Sequence, residues 1–190
     1  MKVLSWTSVP PQPWRNGGGV TRELLAWPAD GPWLARISVA DVTCDGDFSA
    51  YLGVERWFAV VEGAGVELGL ASGHLPLTTC SDPCRFDGDL APACRLLAGP
   101  TRDLNLMAQR AHGHSQMQRV QPGLVWHSGA ELRAVFTAGP MTLQVGEQPA
   151  KVLAAGTLAW DDSGDASPWR ATLPAGSPPA WWLSFQRRAP

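Results

Sequence analysis

Along this chain, apolar and polar positions alternate in short runs that stop at Gly, Pro or Asp, and long stretches with a helical period are hard to find. The clearest run is Trp33 to Val42, WLARISVADV. Leu34, Arg36, Ser38 and Ala40 fall on one face, and Ala35, Ile37, Val39 and Asp41 on the other. The second face is apolar until Asp41, so the face carrying Arg36 and Ser38 meets either solvent or a polar pocket. RWFAVVE at 56–62, Gly63-Ala64-Gly65 and VELGL at 66–70 read as a hairpin with a glycine-bearing loop.

Further strands are expected at 20–26 and near 75–79, 93–98, 103–110, 115–120, 131–138, 140–146, 151–154, 157–160, 168–173 and 180–187, for a total of about fourteen strands. Ser49 to Gly53 is read as a single helical turn. In Asp103 to Arg110, Leu104, Leu106 and Ala108 alternate against Asp103, Asn105 and Met107, which favours a strand over a helix. Residues 111–130 and 161–179, rich in Gly, Pro, Ser and Asp, are the expected loops. Many short strands separated by turns predict an all-β sandwich or barrel, and in 190 residues a pair of related barrels.

Composition narrows the function. A net charge of −2 without a Lys/Arg run excludes the footprint of a nucleic-acid binder. The opening MKVLSWTSVPPQPWRN turns to Pro and polar residues before a secretory apolar stretch forms, and no window approaches a membrane span, so a cytoplasmic protein with no membrane partner is expected. Cys44, Cys80, Cys84 and Cys94 are then expected as free thiols, since the four-residue step from Cys80 to Cys84 lacks a second pair to complete a zinc site.

The segment Pro13 to Glu23, PWRNGGGVTRE, is the most distinctive. Gly17, Gly18 and Gly19 allow positive φ and close backbone approach, and Trp14, Arg15, Asn16 and Thr21 offer a platform and hydrogen bonds. It has neither dinucleotide-fingerprint nor phosphate-loop spacing, and by itself reads equally as a binding loop or a tight turn into the next strand.

Taken in order, PWRNGGGVTRELL, RISVADV, GDFSAYLGVERWFAVVEGAGVELGL and DLNLM resemble the HutD/Ves family of cupin-like bacterial proteins. The likeness runs from about Ser5 to Arg110 and is only general beyond. It implies a cupin-like double β-barrel, or bicupin, of RmlC-like jelly-roll type. Residues 1–110 would form one barrel and 111–190 the second, in one compact unit with some strand exchange. It also implies a regulatory or protective role linked to histidine utilisation, without an established activity, and a ligand such as formylglutamate.

The residues favour recognition over catalysis. Arg36 and Arg56, on adjacent predicted strands, could hold a carboxylate at a barrel mouth, with Asn16, Thr21 and Ser38 fixing orientation and Trp14 or Trp57 as an apolar wall. Alternatively each arginine pairs with a surface acid such as Asp41 or Glu55. Asp103 and Asn105 either extend the polar lining or satisfy the backbone of the glycine loop. The expected ligand-binding set is therefore Trp14, Asn16, Thr21, Arg36, Ser38, Arg56, Asp103 and Asn105, with a small carboxylated metabolite as partner and no cofactor.

The competing reading is a metal-dependent cupin enzyme using His112, His114 and His127. Gln118 stands where a carboxylate ligand belongs, however, and the three imidazoles read equally as solvated loop residues. His74, alone in a glycine-rich turn, reads as structural or exposed. No nucleophile elbow appears, and the acids Asp41, Asp45, Asp47 and Glu55 read first as turn solvation. The Trp181-Trp182 pair offers either a homodimer surface or filling for the second barrel.

Overall fold

The structure, a computed structural model, describes residues 1–189. These residues are almost wholly β, with one 3-10 turn at Trp6–Ser8. The expected helical turn at 49–53 is instead an irregular loop closed by a turn at 52–53. Its backbone is held from outside by Tyr51 N–H to Gly88 O (2.6 Å) and Gly53 N–H to the Asp89 carboxylate (2.6 Å).

The chain divides into two compact units, residues 9–113 and residues 1–8 with 114 onward. In the first, a six-stranded antiparallel sheet runs in the order Gln12–Pro13, Gly19–Trp27, Ala35–Val42, Thr101–Gln109, Val54–Glu62, Cys84–Asp87. A four-stranded sheet runs Gly46–Asp47, Ala93–Leu96, Val66–Leu70, Gly73–Leu77. Val54–Glu62 and Val66–Leu70 thus lie in different sheets and form no hairpin. Gly63 (φ 95°) and Gly65 (φ 106°) take the chain from one to the other, and a Cβ on Gly65 would meet Leu77 O at 2.0 Å.

The core of this unit joins Val42, Phe58 and Val60 of the larger sheet to Val66, Leu68, Leu77 and Cys94 of the smaller. Register then fixes what lies beyond this core on the same face. Asp103 pairs with Ala40 and Val60, Asn105 with Ser38 and Phe58, and Met107 with Arg36 and Arg56. Because side chains alternate, these rungs share one face of the sheet, which changes from apolar at Val42 and Val60 to polar at Arg36 and Arg56.

In the second unit a five-stranded sheet runs Lys2–Ser5, Thr157–Asp161, Leu132–Thr137, Ala180–Arg187, Gly113–Arg119. A four-stranded sheet runs Val125–Trp126, Trp169–Thr172, Met141–Val145, Lys151–Leu153. The strand Lys2–Ser5 pairs with Thr157–Asp161 and so belongs with the C-terminal residues. Trp126, Trp169 and Trp182 fill this unit's interior. Trp126 stacks on Trp182 at 4.8 Å, and the Trp169 ring lies edge-on to both. Trp181 and Trp182 are both buried, so the pair is packing rather than an exposed dimer patch.

The ladders form four open sheets, two in each unit, and no closed barrel among the described residues. The expected closed barrels are corrected to facing sheets. The ladders end on short strands: Gln12–Pro13 and Val125–Trp126 are only two residues long, too short to carry pairing around to another sheet. No helix is long and apolar enough to cross a membrane among the described residues.

Candidate functional site

The polar end of the six-stranded sheet floors a pocket of about 510 Å³ in the first unit. All eight expected ligand-binding residues line it: Trp14, Asn16, Thr21, Arg36, Ser38, Arg56, Asp103 and Asn105. The Arg36 and Ser38 face is therefore pocket lining, and Ser38 is only 2% exposed.

The rim is the PWRNGGG segment, which is held in place by its own hydrogen bonds. Gly18 N–H donates to Asn16 Oδ1 (3.0 Å), Trp14 N–H to Gly19 O (3.0 Å), and Thr43 N–H to Gly18 O (2.9 Å). A Cβ on Gly19 would meet Asp41 O at 2.4 Å and the Trp14 ring at 3.1 Å, so the close approach of Trp14 to the strand requires glycine here. The Trp14 indole N–H donates to Thr21 Oγ1 (2.7 Å), which orients the ring at the rim and engages the threonine hydroxyl.

The two arginines have different surroundings. Arg36 Nε donates to the Glu23 carboxylate at 2.5 Å, so its ion pair is with Glu23 rather than with the expected Asp41 or Glu55. Those acids are engaged elsewhere, Asp41 by Arg22 and Arg102 and Glu55 by Arg85. Arg56 is 4% exposed and has no carboxylate within 4.0 Å among the described residues. Its Nη2 donates to Asn105 Oδ1 (2.9 Å) and its Nη1 to Ser49 O (3.3 Å), whereas Nε is buried without a partner. The rings of Phe48, Phe86 and Tyr51 surround the guanidinium at 5.1 to 5.7 Å.

Asn105 continues the chain of contacts, its Nδ2 donating to Asp103 Oδ1. Asp103 is 1% exposed, and its Oδ2 has no partner. Asp103 and Asn105 therefore serve the pocket floor, not the backbone of the glycine loop. Burial pushes the Asp103 carboxyl up to about 8, with Asp41 adding to the rise and Arg56 and Asn105 opposing it. Burial also pulls the Arg56 guanidinium down to about 10, which leaves it charged at neutral pH. The floor thus carries a positive charge beside a neutral acid, an arrangement suited to an anion.

Several lining residues escaped the sequence reading. Ser49 and Tyr51 come from the segment misread as a helical turn, Phe48 directly precedes it, and Asp47, read as turn solvation, also lines the pocket. Met107 shares the alternating face of Asp103 and Asn105, so period-2 alternation was the signal for it. Trp57, expected as a wall, points away from the pocket and stacks under Arg85 at 6.0 Å.

The imidazoles of His112, His114 and His127 are exposed, as is that of His74. No group of three His, Cys, Asp or Glu side chains among the described residues is placed to hold a metal ion. All four cysteines are free thiols. Burial raises Cys94 to about 12, which makes it a poor nucleophile.

Known proteins bear on both the fold and the family. An uncharacterized 21.2 kDa protein in the hutC 3′ region of Pseudomonas putida is 33% identical over 68% of this chain and 65% of its own length. Protein Ves of Citrobacter koseri is 33% identical over 58% of this chain and 59% of its own. The chain spans less than two thirds of the length of these relatives. HutD from Pseudomonas fluorescens SBW25 superposes with a TM-score of 0.84 at 26% identity, covering 99% of each chain. An oxalate decarboxylase of Bacillus subtilis matches at TM-score 0.64 and 10% identity over 100% of this chain and 78% of that one, which shows a cupin-like fold and no more. The family model for HutD matches residues 7–176, well past the Arg110 limit of the sequence likeness, and the chain belongs to the HutD/Ves family.

Proposed function

We propose that this protein is a non-enzymatic, cytoplasmic bicupin, with a cupin-like half in each of its two units, that binds a small carboxylated metabolite in the pocket of the unit spanning residues 9–113. Arg56 carries this reading. A buried guanidinium without a carboxylate partner, on the floor of a pocket, is costly unless an anion joins it, and a carboxylate can take two of its N–H donors at once. The aromatic rings around Arg56 keep the site poor in water and strengthen that pairing. Arg36, neutralised by Glu23, would contribute orientation rather than charge.

The groups around Arg56 are hydrogen-bond donors, acceptors and rings, a set suited to holding an acid, and binding of this kind fits a regulatory role. The hutC 3′ region of the Pseudomonas putida relative supports a link to histidine utilisation. The test is a thermal-shift screen of formate, glutamate, urocanate and formylglutamate against the wild type and Arg56→Met. At a hundred times its dissociation constant, a ligand should add about 2.7 kcal/mol to the wild type and nothing to the variant. If none of these acids stabilises the wild type, the reading fails.

A further inference from the structure

Asp103 Oδ2 is a second unpartnered polar atom on the pocket floor. The side chain is held from its other oxygen by Asn105, whose own carbonyl accepts from Arg56, so Arg56 and Asp103 stand one amide apart on a fixed frame. Within reach, the charged or titratable groups are Arg56 on Val54–Glu62, Asp41 on Ala35–Val42 and Cys94 on Ala93–Leu96. No cation forms an ion pair with Asp103 within 4.0 Å among the described residues. Arg15, Arg36, Asp47 and Tyr51 also line the pocket, and Tyr51 and Arg36 act on the Arg56 charge.

We propose that Asp103 is a second recognition group of the pocket, presenting a carboxyl O–H to a carbonyl oxygen of a ligand whose carboxylate rests on Arg56. This rests on the carboxylate reading above. A buried carboxyl oxygen without a partner costs free energy that a hydrogen bond recovers. At 1% exposure, this oxygen is met only by a slim group that reaches the floor, such as a carbonyl. An ammonium there would lie beside the Arg56 charge with no ionised acid to balance it. Burial, which holds the Asp103 proton up to about 8, keeps the donor in place at neutral pH. The preferred ligand is therefore a carboxylate with a carbonyl a few bonds away, and amino acids with a free ammonium at that position are rejected.

Calorimetric titration with pentanoate, 4-oxopentanoate and 5-aminopentanoate tests this, at pH about 6.5 and about 9, on either side of the Asp103 transition. At the lower pH, 4-oxopentanoate should bind about tenfold tighter than pentanoate, the scale of one buried hydrogen bond. That advantage should vanish at the higher pH and in Asp103→Leu. It should persist at both values in Asp103→Asn, whose amide N–H replaces the O–H. Equal affinity of pentanoate and 4-oxopentanoate, or tightest binding by 5-aminopentanoate, overturns the role of Asp103 and leaves the Arg56 reading standing. Loss of all binding in Arg56→Met, with the ketone preference intact in the wild type, supports both. No binding of any of the three to the wild type overturns both.

Discussion

Among the described residues each half buries one arginine, Arg133 over a single ring and Arg56 among three, and the two are treated differently. Arg133, 1% exposed, lies over Trp169 at 5.2 Å, donates to Ser167 O at 2.6 Å and faces the Asp161 carboxylate at 3.4 Å. Arg56 lies among Phe48, Tyr51 and Phe86 with an amide and a carbonyl as its partners and no acid. The interiors differ in the same way. Trp126, Trp169 and Trp182 fill the space between the sheets of the second half, whereas Arg36, Ser38, Asp103 and Asn105 leave a pocket in the first. An arginine whose charge is met from within the chain is structural. One whose charge is left open at a cavity is available to a ligand.

Removing the packing of the second half should have the largest effect. Trp169 is fully buried, and Trp169→Ala opens a cavity and takes away the ring under Arg133, a loss of about 3–5 kcal/mol. Urea titration measures it, and a loss under about 1 kcal/mol would mean that this interior is not tightly packed.

The two arginines then test the comparison itself. Arg133→Met takes the buried cation from Asp161, which keeps only the N-terminal ammonium at 3.7 Å and the Ser163 hydroxyl, and it orphans Ser167 O, so it should cost about 3–5 kcal/mol. Arg56→Met orphans only the Asn105 and Ser49 oxygens, about 1–3 kcal/mol. Equal costs from the same urea titration would show that Arg56 is as structural as Arg133 and would remove the contrast.

Much of this contrast could be read from the chain before its fold was known. Alternation in WLARISVADV and DLNLM put Arg36, Ser38, Asp103 and Asn105 on faces that had to be polar for a reason, and period 2 in a strand survives any change of partner. The identity of each partner did not follow. Glu23 reaches Arg36 through a sheet register that a one-residue bulge shifts between Glu23 and Leu25. The Phe48 and Tyr51 wall was also hidden, because 48–53 is irregular and is shaped by hydrogen bonds that Tyr51 and Gly53 donate to Gly88 and Asp89, far along the chain. Local pattern fixes a side chain's face, and long-range pairing decides what it meets there.

Asp103 gives the first half a raised carboxyl, opposite in direction to Asp165 of the second half, which the Ser167 N–H holds below its ordinary value. The unfolded carboxyl loses its proton near its ordinary value of about 3.9, whereas the folded one holds it to about 8, so the folded state binds more protons in between. The contribution of Asp103 is therefore complete below the lower value, declines as pH rises through this window and is level above it. Asp103→Asn has no proton to lose, and its stability relative to the wild type should climb from about pH 4 to about 8, as urea midpoints across that range would show. A constant difference would mean that Asp103 is ionised in the folded pocket.

The smallest effect tests whether the second half holds a site of its own. His114 and His127 belong to that half, both are exposed, and no metal cluster includes them among the described residues. An exposed imidazole without a partner contributes little to folding, so the His114→Ala, His127→Ala double variant should lie within about 0.5 kcal/mol of the wild type. Added zinc, nickel or manganese should raise the melting temperature of neither protein, since an ion stabilises only a fold that binds it better than the unfolded chain does. A metal-dependent rise in the wild type that the double variant lacks would give the packed half a ligand, and the division between a half that binds and a half that packs would not hold.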